Sequence, residues 1–447
     1  MNDAPRHGQV PGFGLGLGMV LIAAVPAAAE DTNEDVGELV REVRELRSEV
    51  KRLNTRVNEL EGEQERGTAS VDELSEEIDR LRDSAGLGTT EAPRSVLSIA
   101  PGFHLSGLAE MIYSYNPRTG SDTLDRNRFR AGDADADSFT LQTVQLVLEK
   151  EATTAGTWGL RLQAEYGRLA ELIDADENFD GDSDNAFSVS EWFATWRTEG
   201  LFWGTDDYQA GRFQTPLGYE SNENNRNVMV TRNPIYQLGT PTTHTGVRAA
   251  ITIAPDLTAT VYFVNGWDNQ IDADSGKTGI VSLTTSPIAD WYGSGFALNG
   301  SYGHEGSARA HLGDKTAFGE FLWTTQPSDE WSTVLDLIWA SSDDTVSRGG
   351  RVSNRDWHGA AGYVTRHVGD DVKVSGRLGY YSDDQFRSGT IRMMDASIAV
   401  RYLVAKGLTL MLEFRHDWSP DGRPYVPNSD DRKKVQDTVT ASVMVEF

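Results

Sequence analysis

Not one of the 447 residues is cysteine. Disulfides, Cys-ligated zinc and thiol nucleophiles are therefore excluded. Basic charge is scarce as well: 41 Lys and Arg face 68 Asp and Glu, a formal net charge of −27. Nonspecific binding to nucleic acid needs basic patches, so no nucleic-acid partner is expected. Long apolar runs are missing: past Val25 no run of about 18 apolar residues occurs, so no transmembrane helix is expected. Catalytic signatures are incomplete too. Gly276-Lys277-Thr278 ends like a phosphate-binding loop, but Ile271 stands where the first glycine is required. His304-Glu305 is followed by Ala308 where a zinc-protease helix needs its second histidine. No G-x-S-x-G elbow is present. No enzyme is expected, and no cofactor.

The chain opens with a different pattern. Arg6 and His7 precede an apolar segment from Phe13 to Val25, and Ala27-Ala28-Ala29 supplies small residues for cleavage. This predicts a secretory signal peptide over 1–29. A secreted chain without cysteines is consistent with a periplasmic, extracellular or outer-membrane protein.

Next comes a heptad pattern. Val36, Val43, Val50 and Val57 alternate with Leu39, Leu46, Leu53 and Leu60, in steps of three and four. Valine at a and leucine at d predicts a coiled coil over 34–83, because so polar a helix can bury its seam only against another helix. The seam passes Gln64 and Gly67 and resumes in phase at Val71, Leu74, Ile78 and Leu81. Valine at a leans toward two strands. Arg56-Val57-Asn58-Glu59-Leu60-Glu61 resembles a trimer-favouring R-h-x-x-h-E pattern, in which Arg56 reaches Glu61 of a neighbour. Gly, Thr and Pro break the helix in the linker expected over 84–100.

From residue 101 to 447 the period is two. Trp158, Leu160, Leu162, Ala164 and Tyr166 oppose Arg161, Gln163 and Glu165, and Leu408, Leu410, Leu412 and Phe414 oppose Thr409, Glu413 and Arg415. Aromatic residues recur near strand ends, as at Trp158, Tyr166, Trp331 and Trp339. About 16 strands are expected, joined alternately by short turns and long polar loops. A secreted sandwich would share the apolar face. It would not need an ionisable opposite face on nearly every strand. The fold class expected is an all-β transmembrane barrel of antiparallel strands, preceded by a periplasmic α-helical coiled coil. In lipid, strands can span only as a closed barrel. The last strand, DTVTASVMVEF, would set Val439, Ala441, Val443, Val445 and Phe447 toward lipid and Thr438, Thr440, Ser442, Met444 and Glu446 toward the channel.

Three motifs occur in order: Tyr208-Gln-Ala-Gly-Arg-Phe-Gln-Thr-Pro-Leu-Gly-Tyr-Glu220, Thr243-His-Thr-Gly-Val-Arg248, and Val264-Asn-Gly-Trp-Asp268, followed by Asp274-Ser-Gly-Lys-Thr278. Over roughly residues 100–447 this order resembles the beta-barrel porin-2 family, which is similar in style to the phosphate-selective porins. The resemblance implies an outer-membrane porin, a homotrimer passing small hydrophilic solutes or ions. It also implies that 214–243, the longest segment without a strand pattern, folds inward as a constriction. The terminal Phe447 resembles the signal read by barrel-assembly machinery, a second expected partner beside outer-membrane lipid.

The lumen and constriction residues expected are Arg161, Arg212, Glu220, Glu223, Arg226, Arg232, Arg248, Arg377 and Arg415, with Arg401, Glu110, Glu165, Glu191, Glu320, Asp336, Asp395 and Glu413 also on the channel side. The arginines near the loop lean toward anion preference. Asp176, Asn178, Asp180, Asp182 and Asp184, with Gly181, resemble a calcium-binding loop, but Phe187 replaces the closing glutamate. The alternatives are a weak calcium site and a solvated acidic loop, and the missing ligand favours the second. A second functional reading is a structural tether, the coiled coil extending toward peptidoglycan in the periplasm.

Overall fold

A computed structural model describes residues 97–100, 102–117, 127–130, 132–174, 186–271, 276–288, 292–305, 315–346, 352–384, 390–420 and 435–447. The expected signal peptide, coiled coil and acidic loop 176–184 lie outside the described residues.

The described chain is built on strands. They are β1 (Leu97–Ala100), β2 (Phe103–Tyr115), β3 (Ser138–Lys150), β4 (Trp158–Tyr166), β5 (Phe187–Glu199), β6 (Thr205–Gln214), β7 (Thr243–Ala254), β8 (Leu257–Val264) and β9 (Thr278–Thr285), then β10 (Gly295–Gly303), β11 (Lys315–Ser328), β12 (Trp331–Val346), β13 (Val352–Val368), β14 (Val372–Asp383), β15 (Ile391–Ala405), β16 (Leu408–Trp418) and β17 (Val435–Glu446). From β2 to β17 each strand pairs antiparallel with its chain neighbour, and β17 pairs back to β2, from Val439 opposite Tyr115 to Glu446 opposite Leu108. Sixteen strands thus close into a barrel, while β1 adds a short pairing on β2. Closure leaves no free sheet edge in the ring, which lipid would not tolerate. Among the described residues no helix is long and apolar enough to cross a membrane.

Parity explains the wall. On β17, Val439, Val443 and Val445, with Phe447 just after it, are exposed on the outer face, while Thr438, Thr440, Ser442 and Met444 are buried inside. Tight turns such as 329–330 between β11 and β12 and 406–407 between β15 and β16 occupy one end. The described parts of the β2–β3 and β4–β5 connections lie at the other, where residues 215–242 also leave β6 and rejoin β7.

Phe447 seals the seam. Gly107 and Phe447 exchange backbone hydrogen bonds of 2.8 and 3.0 Å. The Phe447 ring lies over Gly107, where an added Cβ would stand 2.3 Å from Cζ of the ring and 3.0 Å from the Gln145 carbonyl oxygen. Gly107→Val is therefore expected to displace the ring and cost about 1–3 kcal/mol. The loss would be measured as a lower midpoint for heat-modifiable gel migration. An unchanged midpoint would show that the ring does not need this seat.

Candidate functional site

Residues 215–242 leave β6 at the long-loop end and return at β7, and between these points they cross the barrel interior. The segment first meets β10 and β11: Asn299 Nδ2 donates to the Pro216 carbonyl at 3.0 Å, and the Gly218 N–H donates to Glu320 Oε1 at 2.9 Å. Tyr219 then packs on Tyr363 of β13, ring centroids 4.7 Å apart. Glu220 accepts from Arg377 of β14 at 2.9 Å and from the Tyr363 hydroxyl at 3.0 Å. Farther on, Arg401 of β15 donates to the carbonyls of Asn224, Asn225 and Asn227. The Asn224 amide reaches Glu110 of β2, and Asn225 Nδ2 reaches Glu446 of β17 at 2.9 Å. The N–H groups of Val230 and Thr231 share Glu413 Oε2 of β16 at 2.7 and 2.8 Å. On the other side, Glu223 accepts from Gln145 of β3 and Arg161 of β4 at 3.2 and 3.4 Å. Backbone groups in a strandless segment need partners, and here the wall's inward side chains supply many of them.

Apolar packing holds the segment as well. Val230 sits among Leu108, Ile112, Met411 and Met444. Leu217 and Ile235 join a larger buried cluster with Phe213, Tyr262, Ile338, Trp357 and Tyr381. Ile235 belongs to a single helical turn, Pro234–Leu238, which Asn233 caps by accepting from the Tyr236 N–H at 2.8 Å, with proline in the first turn. Trp357 Nε1 and the Tyr381 hydroxyl donate to the carbonyls that end this turn, Gly239 and Leu238, both at 3.1 Å.

Most of the expected luminal arginines are paired. Arg377 is fully buried and bonds Asp395 at 2.6 Å and Glu220 at 2.9 Å, with Glu413 at 3.8 Å. Arg415 bonds Asp417 at 2.7 Å and reaches the Arg232 carbonyl. Arg161 lies between Glu191, Glu149 and Glu223. Arg226 pairs with Glu223 at 2.6 Å, and its side chain stays 34% exposed. Buried Arg232 donates to the carbonyls of Asn222 and Val230 and stacks over Tyr236. Partly exposed Arg248 bonds Gln209.

Arg212 requires a correction. Its register partners are Thr245 and Trp192, and Trp192 is exposed on the outer face. Arg212 thus has outward parity, buried, donating to Thr243 Oγ1 and the Val189 carbonyl. Phe213, not Arg212, points inward. The expectation had assumed a wholly polar lumen, whereas the crossing segment makes part of it apolar. Tyr363, Trp357 and Asn299 escaped notice for the same reason: their partners are more than 80 residues away in sequence. The visible signal was the apolar run Val228-Met229-Val230 and Ile235 inside a polar loop.

A closed sixteen-stranded barrel with an apolar outer face, a charged inner face and an internal segment is the architecture of an outer-membrane porin. The chain belongs to the family described as "Putative beta-barrel porin-2, OmpL-like", whose profile matches residues 102–447. Family and fold are those of a passive channel of the outer membrane, not of an enzyme. No curated protein sequence matches the chain significantly. Among solved structures, the outer membrane channel DcaP of Acinetobacter baumannii has a TM-score of 0.52 at 12% identity, covering 78% of this chain and 99% of that one. OmpF of Salmonella typhi, in complex with daunomycin, has 0.52 at 12%, covering 78% and 100%. An anion-selective porin from Comamonas acidovorans has 0.52 at 9%, covering 77% and 99%. At these identities the likeness is one of fold.

Proposed function

We propose that the protein is a diffusion channel for small hydrophilic solutes, narrowed by residues 215–242. The observation that carries this is the attachment of one segment to inward side chains on nearly opposite parts of the wall: Glu223 to β3 and β4, Glu220 to β13 and β14. A sixteen-stranded barrel is wide enough to hold water, so an internal segment sets the size limit. The guanidinium groups there are largely compensated: Arg161, Arg226, Arg377 and Arg415 each touch a carboxylate. They therefore supply little net field, and the wall discriminates more by size than by charge. Single-channel recording of the purified chain tests the proposal. Stable ohmic steps in salt support it, and a chain that inserts without conducting refutes it.

The channel is proposed to work as a homotrimer. The heptads over 34–83 need partner helices, and Arg56 through Glu61 carries a trimer-favouring pattern. On the lipid-facing side a depression of about 670 Å³ opens where Ala194, Ala210 and Ala249 stand between Trp158, Trp196 and Phe263. Small residues rimmed by aromatics offer a seat for a second copy. Deleting residues 34–83 is expected to convert trimers to monomers, measured by light scattering in detergent, with each barrel still conducting. Trimers that persist while envelope integrity fails would favour the tether role instead.

A further inference from the structure

The two motifs Gly211-Arg212-Phe213 and Gly246-Val247-Arg248 meet in the wall. Gln209, Arg248, Tyr262 and Ile280 form one cross-strand row on β6 to β9, and Phe193, Gly211, Gly246, Val264 and Thr278 form the next. The row faces the lumen: Val247, Val261 and Phe263, which alternate with its members, are exposed on the outer face, while Tyr262 and Ile280 are buried inside.

The two glycines have a steric cause. An added Cβ at Gly211, whose φ is +138°, would stand 2.1 Å from the Trp192 carbonyl oxygen, and one at Gly246 would stand 2.3 Å from the Phe263 carbonyl oxygen. Neighbouring strands approach so closely that side chains are excluded there, and the next row is left bare at Gly211 and Gly246 beside Arg248. Its guanidinium lies among three aromatic rings, 5.1 Å from the centroid of Phe213, 5.8 Å from Tyr262 and 6.0 Å from Phe193. Its Nε donates to Gln209 Oε1 at 2.5 Å. Among the described residues no carboxylate pairs with it, unlike Arg161, Arg226, Arg377 and Arg415. The group is partly exposed.

A guanidinium without a carboxylate has spare donors suited to an oxyanion, and the rings beside it offer flat apolar faces. We propose that Arg248, Gln209, Phe193, Phe213 and Tyr262 form a luminal binding site for aromatic carboxylates, the carboxylate on the Arg248 donors and the ring against Phe193 or Tyr262. The site rests on the diffusion-channel reading and names a solute class for it.

Single channels of the full-length protein in KCl, with added benzoate or acetate, test the site. Benzoate is expected to reduce the current saturably, at concentrations where acetate has little effect. Arg248→Gln should raise the half-blocking benzoate concentration about tenfold, judged against that variant's own KCl current. Phe193→Leu should raise it about threefold and leave the acetate response unmoved, and it carries the test if Arg248→Gln fails to assemble. Equal effects of benzoate and acetate, or half-blocking values unchanged in both variants, overturn the site and leave the channel standing. A wild-type chain that conducts no KCl overturns the channel reading and the site with it.

Discussion

Excising residues 217–240, with a short Gly-Ser link in their place, is expected to raise single-channel conductance about threefold or more. The barrel should survive. Its closure rests on the strand ladder from β2 to β17 and back to β2, none of which runs through the excised residues. The excision removes the groups that bond Glu110, Glu320, Glu413 and Glu446. It also removes Leu217, Val230 and Ile235 from both internal clusters. The wall then meets water. Apart from Glu220, Glu223 and Arg232 of the excised segment, the buried side chains among the described residues include fourteen carboxylates against seven arginines. Ion preference should therefore shift toward cations once those carboxylates are hydrated. Conductance steps and reversal potentials in a salt gradient are both measured on the same protein. Unchanged conductance in a folded variant would mean that some other part of the chain sets the narrowest section.

The second large effect is expected at Arg377. One fully buried guanidinium serves Asp395 and Glu220 directly and lies near Glu413, and it also donates to the Thr231 carbonyl at 2.6 Å and Ser397 Oγ at 3.1 Å. Arg377→Met keeps length and removes the cation, leaving carboxylates from the loop and from β15 and β16 buried without it. Breaking such an arrangement costs about 3–5 kcal/mol. Urea unfolding in detergent, followed by heat-modifiable migration, should show the loss. The pair Arg377→Met with Glu220→Gln should recover part of it, since one orphaned charge goes with its partner. Because Arg377 ties the loop to the wall, the single variant should also show noisier open-channel current. A variant as stable and as quiet as wild type would demote the pairing to a passive contact.

The two predictions differ in how far the sequence alone could reach them. The strands were readable because their signal is local. Lipid selects apolar residues at every second position, and tight turns interrupt the pattern at regular intervals. Leu408 to Trp418 and Phe103 to Tyr115 form strands at the expected bounds. The outward set Val439, Val443 and Val445 followed from the same alternation. On β6 the alternation misled. Arg212 was expected inside because it is charged, yet Phe213 is inside, packed with Leu217 and Ile235 of the crossing segment. Polarity predicts an inward face only if water is what fills the barrel. Here protein fills part of it.

What the sequence by itself determined is the class of object: a cysteine-free outer-membrane barrel whose strands must close because lipid offers no backbone partners. Period-two patterning and turn spacing are properties of neighbouring residues, so one chain suffices to read them. What only the tertiary structure decided is which luminal charges are spent on one another and which remain. Arg377 and Arg248 look alike in sequence, each an arginine just past a glycine in an alternating strand, the first directly after Gly376 and the second two residues after Gly246. The first is enclosed by carboxylates from β15, β16 and the loop; the second lies among aromatic rings on β5, β6 and β8. Those surroundings come from segments distant in the chain, brought to one height by barrel closure and the crossing loop, and local pattern carries no record of them.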